Sequence, residues 1–131
     1  MHKRNRLFIT LSLLYGLLGG LIGITLLLDP SALPGHVALL HGHIMMLGFI
    51  AMMIYGVGLH VLPRFSGRPL YSERLADWQL YIANLGLWIM AAGWMTLREL
   101  LLVTGGALSW LGIALFTVNI LFTVRHYGPG G

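Results

Sequence analysis

Charged residues fall at Lys3, Arg4, Arg6, Asp29, Arg64, Arg68, Glu73, Arg74, Asp77, Arg98, Glu99 and Arg125, and four long apolar stretches run between them. Each is close to the roughly 20 residues that a helix needs to cross a bilayer. The pattern predicts transmembrane helices over 7–28, 36–62, 78–97 and 100–124, an all-α membrane protein with 1–131 as one four-helix domain. The longest polar stretch, PRFSGRPLYSERLAD at 63–77, is expected to connect the second and third spans. Pro63 should end the second span, Gly67, Arg68 and Pro69 should shape a turn, and Ser72 should N-cap the third helix. The first span carries YGLLGGLIG, whose pairs Gly16/Gly20 and Gly19/Gly23 have the small-xxx-small spacing that lets helix backbones approach closely.

Composition supports a membrane setting, with 57% of residues hydrophobic and 9% charged. The charge balance adds orientation. Lys3, Arg4, Arg6, Arg64, Arg68, Arg74 and Arg125 fall on one side of the predicted spans and Arg98 alone on the other. Because basic residues near span ends are retained in the cytoplasm, both termini are expected to be cytoplasmic, with 29–35 and 97–100 outside. The net charge of +4 then has a topological cause and does not point to a nucleic-acid partner. The partner is the lipid bilayer, and the expected location is the inner, cytoplasmic membrane. The start MHKRNR and its apolar run are read as the first membrane helix, since the run is long for a secretory signal and no small-residue cleavage site follows. There is no Cys, which excludes disulfides, thiolate ligands and covalently attached c-type haem.

The candidate chemistry lies in LLHGHIMMLGF, residues 39–49. His41 and His43 sit about 8–10 Å below the outer end of span two at the α-helical rise, where polar nitrogens need partners that lipid cannot supply. Positions i and i+2 point about 200° apart on a helix, so the two rings cannot grip one metal from the same face. They serve two sites, or one serves a site and the other packs. Imidazole ligates haem iron, copper and zinc alike, and the spacing leaves all three open, beside plain interhelical hydrogen bonding. His60, about 25 Å further along the helix, reads as a structural helix-end residue, and His36 as a cap or loop residue. His2 and His126 are the remaining histidines. Met45, Met46, Met52 and Met53 read as adaptable packing, Asn84 and Asn119 as interhelical hydrogen bonders. Tyr15, Tyr55 and Tyr81 line a pocket or pack.

The continuation from 41 to 94 adds a pattern: His41-Gly42-His43, then His60-Val61-Leu62-Pro63-Arg64-Phe65-Ser66-Gly67, then Pro69-Leu70-Tyr71-Ser72. This stretch resembles subunit I of the haem-copper oxidases, in the helix whose H-x-H pair binds both haems, its exit, the following loop and the next helix. In that family the first histidine of the pair binds the high-spin haem and the second the low-spin haem. The resemblance assigns those roles to His41 and His43. The copper-ligating histidines and redox tyrosine of a full oxidase have no counterpart, so dioxygen reduction by this chain alone is not expected. The resemblance therefore implies a membrane b-type haem protein, for electron transfer with an electron donor or for binding a diatomic gas such as NO or O2. The alternative is a non-haem copper- or zinc-binding protein, or an accessory subunit of an oxidase-like complex. Haem propionates would lie toward the outer face, where Arg98 can pair with them; the competing role for Arg98 is a partner for Glu99 or lipid phosphate.

Subunit I of these oxidases consists of three arcs of four helices about a pseudo-threefold axis. A chain resembling one arc can rebuild that ring as a homotrimer, closed by identical heterologous contacts. Span two would then stand between two pores, aiming His41 into one and His43 into the next. Each pore would receive His41 from one chain and His43 from its neighbour.

Overall fold

The computed structural model describes residues 1–125, and within them the chain forms four helices: α1 (Lys3–Leu28), α2 (Val37–Phe65), α3 (Glu73–Thr96) and α4 (Glu99–Arg125). His126 and the C-terminal end lie outside the described residues. Helices α1, α2 and α4 are long and apolar enough to cross a membrane. Helix α3 is comparably long but carries Glu73, Arg74, Asp77, Gln79 and Asn84, and it is not among those three.

The distribution of polarity is that of a bundle in lipid. Leu17, Leu27 and Leu100 are mostly exposed, at 69%, 84% and 77%, while Arg4, Asn5, Ser12, Gln79 and Asn119 are buried. In hydrocarbon the bundle interior is where a polar side chain finds partners, as all of these do except Gln79, whose amide makes no hydrogen bond among the described residues. Tyr15 of α1 donates to Asn84 of α3. Asn119 of α4 accepts from the Ser72 N–H at 3.0 Å and donates to the Ser72 carbonyl at 2.8 Å, tying α4 to the start of α3. Ser72 is the α3 N-cap, accepting from the Leu75 N–H.

Two boundaries differ from the sequence reading, while α3 begins at Glu73 behind its Ser72 cap as expected. Helix α1 begins at Lys3, ahead of the predicted span, and Arg4 in its first turn, only 4% exposed, holds Glu73 at 2.7 Å and Asp77 at 2.9 Å on α3. Helix α2 runs through Pro63 to Phe65 and stops before Gly67, whose φ of +63° suits glycine. Within α2, residues Ile44–Ala51 form a π-helical segment. Such widened turns free backbone carbonyls and cluster at functional sites; here the Phe49 carbonyl accepts from the Ser12 hydroxyl of α1 at 2.7 Å.

Helix packing runs on small residues. A Cβ on Gly16, Gly19 or Gly23 would meet Phe49, Met45 or His41 of α2 at 2.9, 2.6 and 2.8 Å, whereas nothing lies within 4 Å of one on Gly20. The working stripe is thus Gly16, Gly19 and Gly23, and of the two predicted pairs only Gly19/Gly23 is seated as a pair. Between α3 and α4 the approach is closer still. A Cβ on Gly105 would lie 2.4 Å from the Met90 nitrogen, and one on Gly86 would lie 2.7 Å from the Ser109 nitrogen.

Helices α1 and α3 have their N-termini at one end, where Arg4 meets Glu73. The same end holds the α2–α3 connection, with Tyr71 donating from its N–H to Thr123 near the end of α4. At the other end the start of α2 meets the end of α3: the His36 N–H donates to the Trp94 carbonyl at 3.0 Å. Arg4, Arg64, Arg68 and Arg74 therefore share one end, and Arg98, on the α3–α4 turn, lies at the opposite one.

Candidate functional site

His41 and His43 stand on the α-helical turn just before the π segment. They diverge, as i and i+2 positions must. The His41 ring lies over Gly23 of α1, and its Nδ1 is 2.8 Å from the Gly19 carbonyl. A residue larger than glycine at 23 would occupy the space of that ring. His43 turns to the other side of α2, with Nδ1 2.7 Å from the carbonyl of Leu39, one turn back.

Both contacts fix a tautomer. A carbonyl oxygen only accepts, so Nδ1 carries the proton in each ring and Nε2 of the neutral imidazole keeps its lone pair. An Nδ1–H bonded to a backbone carbonyl, with Nε2 left as donor to a metal, is the arrangement in which ligating histidines are oriented.

The His43 ring faces a cavity of about 430 Å³ between α2 and α4, in the half of the bundle nearer the α1–α2 connection. Leu39, Gly42, Met46, Met90, Gly106 and Trp110 are among its lining residues. Nothing lies within 4 Å of a Cβ on Gly42, so the backbone between the two histidines is open to close approach by a flat group. Trp94 of α3 packs against His43, centroids 5.4 Å apart, and against His36, centroids 6.1 Å apart and nearly edge-on. His36 is the N-cap residue of α2 and makes no side-chain capping bond; its ring contact with Trp94 serves the junction of α2 with α3. Gly35 at φ +83° lets the chain pass Trp94, since a Cβ there would lie 2.0 Å from the Trp94 carbonyl oxygen.

The site brings together His43, Trp94, His36, Met46 and Trp110, and it sets His41 apart on the α1 side. Among the described residues no three His, Cys, Asp or Glu side chains converge to hold a metal ion. The two histidine rings lie on different sides of α2, His41 against α1 and His43 against Trp94 of α3. Arg98 is exposed at the same end, with its backbone N–H on the Gly93 carbonyl, and it forms no ion pair with Glu99. His60 is half-buried at the other end of α2, remote from the pair. Met45 packs on Gly19 and Met52 is buried in the core, while Met46 is exposed in the cavity beside His43. Tyr55 packs between Phe8 and Phe116, and Tyr81 faces outward.

Sequence reasoning missed Trp94 and the cavity. The i, i+7 spacing of His36 and His43 was a signal, since it puts both on one helix face, but the indole between them comes from a distant helix.

Comparison with known proteins finds a relative among the oxidases. Over 92 residues, 60% of the chain, the sequence is 30% identical to quinol oxidase subunit 1 of Sulfolobus acidocaldarius. The chain spans 17% of the length of that protein. The resemblance to subunit I of the haem-copper oxidases is thereby borne out: the chain is similar to part of that subunit. No protein-family model and no solved structure matches the chain.

Proposed function

We propose that the chain is a membrane haem protein that binds haem b between copies of itself, with His41 of one copy and His43 of the next as axial ligands. The observation that carries this reading is the pair of Nδ1–carbonyl bonds on opposite faces of α2, which leaves two Nε2 lone pairs aimed apart. Divergent ligands on one helix are idle in a monomer and complementary in a closed ring. Similarity to an oxidase subunit 1 supports haem as the occupant, and a homotrimer follows from the three-arc arrangement of the larger relatives.

The residues fit such a group. Gly42 leaves the backbone open beside the ligands, Leu39, Met46 and Trp110 give an apolar wall, and Trp94 restrains the His43 ring. Arg98, exposed at the same end of the bundle, would hold the propionates there. Haem supplies one-electron redox chemistry and, with one axial position open, binding of a diatomic gas. Two histidine ligands per haem favour electron transfer with an external donor. The protein sits in the cytoplasmic membrane with all four helices crossing and both termini in the cytoplasm.

Native mass spectrometry in mild detergent tests the reading, since haem mass and subunit number are read together. Three chains with three haems are expected. A haem-loaded monomer, or a dimer with one haem, overturns the shared-ligand arrangement. Protein that carries copper or zinc and no haem, after expression with ample haem, supports the non-haem alternative.

A further inference from the structure

At the end of the bundle away from the histidine pair lies a second cavity, of about 440 Å³, between the start of α1, the end of α2 and the α2–α3 connection. One wall is basic. His60 and Arg64 are one turn apart on α2 and so share a helix face, and both line the cavity, as does Arg68. Arg64 brings to this face a fixed positive charge that an acidic partner could compensate, and His60 brings a ring N–H donor beside it.

The chain has four acidic residues with which to do so. Asp29 caps the end of α1 and Glu99 opens α4, both at the far end. Glu73, which lines the cavity, and its neighbour Asp77 are engaged by the buried Arg4 guanidinium. Among the described residues Arg64 has no acidic partner. Beside this basic wall Leu59, Pro63, Pro69 and Leu70 form an apolar part of the lining, and His2 and Asn5 of the α1 side complete it. A cationic wall beside an apolar floor, at the end of membrane-crossing helices, fits a phosphodiester that carries acyl chains.

We propose that this cavity binds the phosphate of an anionic glycerophospholipid, with Arg64 and His60 as the donors and the proline-leucine floor under the glycerol. The assignment is independent of haem and accounts for His60, which the histidine-pair site does not use.

The test is retention of lipid by the full chain in mild detergent, read by native mass spectrometry after addition of phosphatidylglycerol or phosphatidylcholine. Phosphatidylglycerol is expected to be retained preferentially. Arg64→Gln should lower its retention about fivefold, the scale of one basic residue at a membrane surface. Arg64→Lys should keep most of it, since an ammonium still serves as a point charge for phosphate. Arg125→Gln removes the same charge at the end of α4, outside the cavity, and should leave retention unchanged; unfolding midpoints confirm that each variant is folded. Equal retention of the two lipids, or equal losses in the Arg64 and Arg125 variants, would overturn the site. Full displacement of the lipid by inorganic phosphate would overturn the lipid assignment in favour of a free-phosphate site.

Discussion

Gly23→Ala is the most informative small change, because it acts on His41 from another helix. The added Cβ would stand 2.8 Å from His41 Cε1 and 3.1 Å from Nδ1. Carbon contacts settle at about 3.5–4.0 Å, so the ring must withdraw by roughly 0.7–1.2 Å. The Nδ1 bond to Gly19, now 2.8 Å, would then pass beyond about 3.5 Å and cease to be a hydrogen bond. The bond itself contributes on the order of 1 kcal/mol. Its larger effect is on orientation: losing the partner that orients a ligating histidine typically costs about 10–100-fold in metal affinity. We expect the haem-to-protein ratio after identical purification to fall about tenfold, measured by pyridine haemochrome. Gly20→Ala is the control, since nothing lies within 4 Å of its Cβ. Both changes raise helix propensity by about 0.8–1.0 kcal/mol, so a weakened α1 does not account for a difference between them. Wild-type haem content and spectrum in Gly23→Ala would refute the reasoning that Gly23 seats the ligand.

Other expectations follow from the bundle. Arg4→Gln should destabilise the protein by about 2 kcal/mol in detergent unfolding, between the values for exposed pairs and for broken buried ones. The intermediate value reflects partners whose carboxylates are 58% and 51% exposed and can rehydrate; a loss under about 0.5 kcal/mol would show that the junction is not held by charge. Asn119→Ala leaves the Ser72 N–H without its partner, while the Ser72 carbonyl keeps the Ala76 N–H at 3.4 Å; it should cost about 1–3 kcal/mol, whereas Ser72→Ala, which removes only the α3 cap, should cost about 1 kcal/mol. A reporter fused after residue 131 should score as cytoplasmic; an external score would reverse the side on which the histidine pair lies.

The helices were legible because charge interrupts an otherwise apolar chain, and uniform hydrophobicity over some 20 residues has few alternatives to a crossing helix. The same uniformity hid what lies inside α2. Nothing in IMMLGFIA distinguishes a π segment from an α one, since the carbonyl it frees is satisfied by Ser12, 37 residues earlier. Charge also misled at the basic end. Arg4 counts as a flanking residue in a linear reading, yet it is buried because two carboxylates from α3 meet it. The divergence of His41 and His43 followed from helix geometry alone. Their partners did not: the Gly19 carbonyl, Gly23 and Trp94 reach the histidines through packing between helices distant in sequence. Glycine spacing announced a close approach of α1 but not which glycines face α2, and Gly86 and Gly105, the tightest contacts between α3 and α4, stand on separate helices where no spacing within either one pairs them.

The central claim is that His41 and His43 are the haem ligands. A reduced-minus-oxidised spectrum with pyridine haemochrome analysis, taken on the wild type and on His41→Ala, His43→Ala and His60→Ala, tests it most directly. The account predicts low-spin haem b at one per chain in the wild type and in His60→Ala, with loss of haem or a change of spin state in each pair variant. It is contradicted if His60→Ala empties the protein while both pair variants keep the wild-type spectrum.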